Sequence, residues 1–153
     1  MRRLAGFTII ETMIAVVIVA IMSVMAYPKL RNSMIKANVR GARNQVANML
    51  TAARTTSEQS NRSTTLIFSG NVARIEASPR RKTTGSGTVD TVGTLVNLNT
   101  VYGTTVTLSN GATQVAYNPR GLTSLGNTDL KITLTRSGYT DSVRVDKLGR
   151  VRK

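Results

Sequence analysis

Residues 7–28 read FTIIETMIAVVIVAIMSVMAYP and contain one charged side chain, Glu11, in 22 positions. A helix rises about 1.5 Å per residue, so this stretch is long enough to cross a hydrocarbon layer of about 30 Å. An ordinary signal peptide has a shorter apolar region, followed by a cleavage site of small residues. Here the apolar run continues into further helix-forming sequence, which predicts a retained membrane-inserting helix.

The six residues that precede this stretch, MRRLAG, carry two bases, Arg2 and Arg3. Basic residues beside a membrane span favour the cytoplasmic side. The sequence therefore predicts a cytoplasmic N-terminus and places the rest of the chain outside the membrane.

Beyond Pro28, apolar residues recur at three- and four-residue spacings, and bases occupy much of the remainder. The apolar positions are Leu30, Met34, Ala42, Val46, Met49, Leu50 and Ala53. This amphipathic pattern predicts one helix from about Phe7 to about Ser57, kinked near Pro28 because proline removes a hydrogen bond and its ring clashes with the preceding turn. Gly41 is a second weak point, costing about 1 kcal/mol relative to alanine.

After Asn61 the pattern changes to period two, with turns rich in Gly, Asn and Pro, as in half-buried antiparallel strands. The predicted strands are Thr64–Ser69, Asn71–Ala77, Thr91–Leu98, Thr104–Leu108, Thr113–Tyr117, Leu130–Thr135 and Ser142–Asp146. The fold class is therefore α+β, with one long N-terminal helix packed against a C-terminal antiparallel β-sheet head. The predicted segments are a leader (1–6), a membrane-inserting half-helix (7–28), an amphipathic half-helix (29–60) and the head (61–153).

Composition limits the possible functions. The chain has no Cys and no His, which removes disulfides, thiol nucleophiles, imidazole bases and the usual zinc or copper ligands. No spacing suggests a Ser-Lys or paired-carboxylate site, so neither an enzyme, a metal site nor a cofactor is predicted. The 21 Lys and Arg against 7 Asp and Glu give a net charge of +14. This charge favours polyanions such as DNA, lipopolysaccharide or an anionic membrane face, and a role in solubility or fibre packing fits it equally well.

The run Gly6-Phe7-Thr8-Ile9-Ile10-Glu11 resembles the processing site of type IV pilins and type II secretion pseudopilins, and Pro28 sits where many pilins carry a kinking proline. The resemblance implies cleavage after Gly6 by prepilin peptidase, N-methylation of Phe7 and assembly with other pilin subunits into a filament. It also implies residence in the bacterial inner membrane, and afterwards in a periplasmic pseudopilus or a surface pilus.

Glu11 would be costly in lipid without a partner. In a filament, the amine of Phe7 on a neighbouring subunit could neutralise it. The alternative is that Glu11 reaches the cytoplasmic headgroups, since it lies about a turn from the helix start.

The head carries a second resemblance. Tyr117-Asn118-Pro119-Arg120-Gly121, together with the ending Leu148-Gly149-Arg150-Val151-Arg152, is similar to the GspH/FimT group of minor pilins and pseudopilins. FimT-like members are implicated in DNA binding during natural transformation, and the Gly-Arg-x-Arg ending is part of that role. Gly149, Arg150 and Arg152 match that ending.

On an extended segment Arg150 and Arg152 point to the same side, and their paired donors suit phosphate oxygens. Lys147 and Lys153 add to this patch, and the loop bases Arg80, Arg81 and Lys82 could extend it. The alternative is a charged edge strand that discourages aggregation. Asp141 and Asp146 are surrounded by bases, which disfavours a calcium site.

These observations predict a structural subunit, most like a minor one of the GspH/FimT group, that binds DNA for uptake through its basic C-terminal face. The alternative is a major pilin that forms the bulk of a fibre and has no DNA-binding role.

Overall fold

The computed structural model describes residues 8–79, 89–125 and 128–153. Its first element is helix α1, Ile9–Ser60, which includes Pro28. The chain divides into two compact units, residues 1–35 and residues 36–153, so α1 contributes to both. The prediction of one long helix through Pro28 is confirmed, and the kink there stays a prediction.

The described part of the first unit is the apolar half of α1. Its large apolar side chains between Ile9 and Met34 are 52 to 83% exposed. The helix is long and apolar enough to cross a membrane, with a mean hydropathy of 2.5 over its most apolar 18-residue window. The sequence placed Leu30 and Met34 on the apolar stripe that packs against the head. In the structure both side chains are exposed and belong to this apolar half of α1.

The second unit contains the remainder of α1 and the described strands. The strands are β1 (Thr64–Ser69), β2 (Val72–Ala77), β3 (Asp90–Asn97), β4 (Thr105–Leu108), β5 (Gln114–Tyr117), β6 (Leu130–Arg136), β7 (Tyr139–Val145) and β8 (Val151–Arg152). A short helix α2, Leu98–Tyr102, lies between β3 and β4. A 3₁₀ turn, Ser109–Gly111, follows β4.

In the described residues the strands form two antiparallel sheets, where the sequence predicted one. The first sheet has the order β3-β2-β1-β5, and the second has the order β4-β6-β7-β8. Period-two alternation identifies strands but not their partners, because pairing between distant strands depends on tertiary packing. The seven predicted strands are all present, with ends shifted by up to three residues; β8 and the two short helical turns are additional.

One hydrophobic core joins α1 to both sheets. The buried stripe of α1 begins at Val39 and includes Val46 and Leu50. The second sheet contributes four fully buried side chains to this core: Ile132, Leu134, Val143 and Val145. The side of the second sheet that faces α1 is therefore apolar, and its opposite side faces solvent.

Gly41 has a packing role in this core. A Cβ at position 41 would lie 3.0 Å from Cε1 of Tyr102, so the glycine lets the ring of Tyr102 approach the helix backbone. The cost of glycine in a helix is offset here by contact with α2.

Candidate functional site

The first part of the candidate site is the turn after β5. The Asn118 side-chain oxygen accepts hydrogen bonds from the backbone N–H groups of Arg120 (2.9 Å) and Leu122 (3.0 Å). The Asn118 N–H donates to the Leu122 carbonyl at 2.9 Å. The Asn118 side chain thus accepts hydrogen bonds that a backbone carbonyl would otherwise accept in the turn, as Asn side chains commonly do.

The second part is the turn between β7 and β8. The Asp146 carboxylate accepts a hydrogen bond from the Arg150 N–H at 2.8 Å, and the Asp146 carbonyl accepts from the Gly149 N–H at 2.9 Å. Thr123 ties this turn to the first one, because its hydroxyl donates to the Asp146 carbonyl at 3.0 Å and its N–H to the Lys147 carbonyl at 3.3 Å. Asp146 therefore organises the turn that carries the C-terminal bases.

Two glycines let these turns meet. Gly149 has φ +74°, and a Cβ there would overlap the carbonyl oxygen of Gly121 and lie 3.2 Å from the ring of Tyr117. Gly121 has φ +73°, and a Cβ there would overlap the carboxylate of Glu58. Gly149 combines a left-handed backbone with a close approach to backbone, and at Gly121 the left-handed backbone is the constraint, since the nearby side-chain ends can move.

Helix α1 holds the assembled turns through Arg54. Its Nε donates to the Glu58 carboxylate at 3.1 Å, and its Nη1 donates to the Gly149 carbonyl at 3.4 Å. The backbone of the Gly-Arg-x-Arg segment is thereby fixed to the long helix.

Tyr117 lies buried beneath these turns, and its hydroxyl has no hydrogen-bond partner among the described residues. Burial raises the pKa of this phenol well above its usual value; the nearby Arg54 opposes the shift and Asp146 adds to it. A buried hydroxyl without a partner costs about 1–3 kcal/mol of desolvation.

Tyr117→Phe is therefore expected to preserve the fold and to stabilise the head by about 1 kcal/mol. Above pH 10 the unfolded chain releases the phenol proton while the folded chain retains it, so wild-type stability falls as pH rises. The variant should lose less stability over this range, as measured by hydrogen exchange of core amides. Tyr139→Phe, at an exposed tyrosine, is the control; equal pH dependence of wild type and Tyr117→Phe would contradict the assignment.

The predicted basic residues at the C-terminus are brought together. Lys147, Arg150, Arg152 and Lys153 are all exposed, and Val151 between the two arginines is partly buried against the core. Among the described residues, no carboxylate lies within salt-bridge distance of these four side chains. Arg80, Arg81, Lys82, Gly6 and Phe7 lie outside the described residues.

Four of the described carboxylates of the head pair with arginines outside the C-terminal patch. Asp141 pairs with Arg43 at 3.1 Å, and Asp90 pairs with Arg62 at 2.9 Å. Glu58 and Glu76 pair with Arg54 and Arg74. Within the described ranges no group of three or more acidic residues is placed to hold a metal ion. These four carboxylates are thus engaged elsewhere on the head, and among the described residues the side chains of the C-terminal bases have no ion-pair partner.

Sequence reasoning missed two bases beside this patch. Arg144 on β7 is the direct cross-strand partner of Arg152 on β8, and Lys131 on β6 is the partner of Arg144. The alternations Leu130-Lys131-Ile132 and Val143-Arg144-Val145 placed both bases on solvent-facing positions. Only the strand register shows that Arg144 adjoins Arg152 and that Lys131 adjoins Arg144.

The long apolar helix and the antiparallel sheets packed on it define a type IV pilin-like subunit. Residues 1–27 match the family model of the prokaryotic N-terminal methylation motif. Residues 42–149 match that of type II transport protein GspH, and this match spans more than two thirds of the chain. The chain belongs to the GspH family.

Two solved structures have a similar fold. Both are crystal structures of the type IV minor pilin FimU of Pseudomonas aeruginosa (strain PAO1), and each is 12% identical in sequence. The one in space group P21 covers 76% of this chain and 88% of its own, with a TM-score of 0.58. The one in space group P65 covers 74% and 90%, with a TM-score of 0.55. No curated protein matches the chain.

These findings confirm the α+β pilin fold and the assignment to the GspH-like minor pilins. The family and fold are those of structural subunits of a type IV pilus or a type II secretion system. The family implies assembly with other pilins, the methylation motif implies processing by prepilin peptidase, and the apolar helix fits membrane anchoring before assembly.

Proposed function

We propose that this GspH-family subunit captures DNA through its C-terminal basic turn. The observation that carries the proposal is the placement of Arg150 and Arg152. Both are exposed, both flank the partly buried Val151, and neither has a carboxylate partner among the described residues. Guanidinium groups match phosphate oxygens in pairs, so a fixed turn that presents two of them suits a phosphate backbone.

The rigidity of the turn supports the proposal. The Asp146 and Thr123 hydrogen bonds and the Arg54 contact to the Gly149 carbonyl fix the backbone before any ligand arrives. A preorganised site loses less conformational freedom on binding than a flexible tail would. Lys147 and Lys153 add charge on either side of the two arginines, and the loop bases Arg80, Arg81 and Lys82 are proposed to extend the patch.

The proposal also covers the N-terminal part of the chain. Cleavage after Gly6 would expose Phe7 for methylation, and its amine would neutralise Glu11 of a neighbouring subunit in the filament. Before assembly the leader would lie in the cytoplasm and residues 7–28 in the inner membrane. The amphipathic half-helix (residues 29–60) and the head (residues 61–153) would lie outside. The alternative remains a major pilin whose positive charge serves fibre packing alone.

The DNA proposal is tested with the full chain in nanodiscs of phosphatidylcholine and a labelled 30-base-pair duplex of mixed sequence, titrated at several salt concentrations. Each phosphate contact adds about 0.9 to the slope of log K against log salt. Arg150→Ala with Arg152→Ala should lower the slope by about 1.8 and weaken binding roughly 30-fold at 0.15 M salt. Scrambling the duplex sequence should change little, because phosphate contacts position a protein without reading bases.

Arg31→Ala with Arg40→Ala is the matched control, since both side chains are exposed on α1 and the charge change is equal. Arg43 is unsuitable because it pairs with Asp141. Equal losses in the two double variants would show that only bulk charge matters. A wild-type chain that fails to bind at 0.15 M salt would remove DNA capture and leave the structural role.

A further inference from the structure

The solvent-facing side of the second sheet has an unusual composition. Strands β6 and β7 present Thr133, Thr135, Thr140 and Ser142 on this side, and β4 adds two further threonines. The remaining strand positions on this side are Lys131, Arg144 and Arg152. We call this surface the hydroxyl-cation face. Hydroxyl and cationic side chains are the groups that proteins use to contact phosphate and sugar.

The acidic and aromatic residues of the same strands lie on the other side, toward α1. Asp141 pairs with Arg43 of the helix at 3.1 Å, and the Tyr139 ring lies 4.9 Å from Nζ of Lys36. Within the described strands of this sheet, the hydroxyl-cation face therefore carries no carboxylate to neutralise its bases. The described strand positions on this face also include no aromatic ring on which a base could stack.

The three bases form a row across the sheet. Lys131 is opposite Arg144, and Arg144 is opposite Arg152, on neighbouring strands. Like charges directly opposite one another destabilise a sheet, so the row reduces stability unless an anion is bound. Adjacent strands are about 4.8 Å apart, which makes the row about 10 Å long. One strand of duplex DNA presents a phosphate about every 3.4 Å along the axis, so the row matches about three phosphates.

We infer that the hydroxyl-cation face binds the phosphate backbone of duplex DNA, with Lys131, Arg144 and Arg152 contacting neighbouring phosphates and the hydroxyls of Thr133 and Ser142 donating to the same strand. This inference rests on the proposed DNA function and extends the site from the C-terminal turn onto the central strands. The lack of aromatic rings on this face favours duplex over single strands, which commonly bind by base stacking.

The test uses the full chain in phosphatidylcholine nanodiscs and the same 30-base-pair duplex. The variant Lys131→Thr with Arg144→Thr removes two bases of the row and leaves Arg150 and Arg152 in place. Threonine is the replacement because it is already the commonest residue on this face. The salt slope should fall by about 1.8 and the affinity roughly 30-fold at 0.15 M salt. The melting temperature should not fall, because repulsion within the row is relieved. Arg31→Ala with Arg40→Ala should leave the slope unchanged.

The outcomes separate this inference from the proposed function. If the Lys131 and Arg144 variant behaves like the α1 control while Arg150→Ala with Arg152→Ala weakens binding, the face is not a DNA site and the C-terminal turn remains one. If only the Lys131 and Arg144 variant weakens binding, those two bases form the site, and both the turn assignment and the proposed contact of Arg152 fail. If wild type binds no DNA, or all three variants lose affinity equally, both ideas fail.

Phosphatidylglycerol vesicles provide the test for a lipid ligand. If the chain binds them more tightly than DNA, and the Lys131 and Arg144 variant loses the same affinity for them, lipid headgroups are the ligand and the inference is overturned.

Discussion

Replacing Gly149 with alanine is expected to destabilise the head by about 3 kcal/mol. Part of this cost, about 1–2 kcal/mol, is the left-handed backbone at φ +74°. The rest, about 1–3 kcal/mol, is overpacking, since the new methyl group would overlap the Gly121 carbonyl oxygen and press on the Tyr117 ring. Hydrogen exchange of core amides in the full chain measures the free energy of unfolding.

Gly138 provides the matched control for this substitution. Its φ is +79°, and a Cβ there would meet nothing within 4 Å. Gly138→Ala should therefore cost only the backbone strain of about 1–2 kcal/mol, and the difference between the two variants isolates the close approach of the turns. Equal costs at the two positions would show that the turns are not packed as described.

Replacing Glu11 with alanine is expected to leave membrane insertion intact while reducing incorporation into filaments by an order of magnitude or more. An apolar residue is cheaper in lipid than a carboxylate, so insertion is not impaired. Assembly loses the charge proposed to neutralise the amine of a neighbouring Phe7. The measurement is the ratio of subunit in sheared filaments to subunit in the membrane fraction.

Two further variants define what Glu11 contributes. Glu11→Gln keeps the shape and removes the charge, so it should fail as alanine does. Ser23→Ala removes a polar group from the same apolar half-helix, but the Ser23 hydroxyl already donates to the Val19 carbonyl of its own helix at 2.7 Å. That variant should assemble normally. Incorporation of Glu11→Ala at the wild-type level would show that the carboxylate is dispensable.

The parts of the fold that depend on local pattern could be predicted from the sequence. The apolar run after Gly6 and the stripe through Val46 and Leu50 define α1, and alternation defines the strands. Helix α2 was missed although its ends carry signals. The Asn97 side chain accepts from the Asn99 and Thr100 N–H groups, and Gly103 closes the helix with φ +64°. Its five residues are too few to show helical periodicity.

The parts that depend on contacts between distant residues could not be predicted. Gly41 was interpreted as a weak point in a helix, and the structure shows a ring of Tyr102 packed against it. Arg43 is one of the bases between the apolar positions of the helix, and only the structure shows that it pairs with Asp141, 98 positions away in sequence. The division into two sheets and the row Lys131–Arg144–Arg152 depend in the same way on register between separate strands.

The unequal anchoring of the strands has a mechanical consequence for a filament under tension. Strand β8 has two residues and lies at the edge of its sheet, so a pull on Arg152 would peel it from β7 one hydrogen bond at a time. Strand β6 has seven residues and is bonded on both sides, to β4 and to β7. A pull on Lys131 along the strand would load all of these bonds together in shear. A ligand held by the central strands would therefore withstand a pulling force that would detach one held by the C-terminal edge alone.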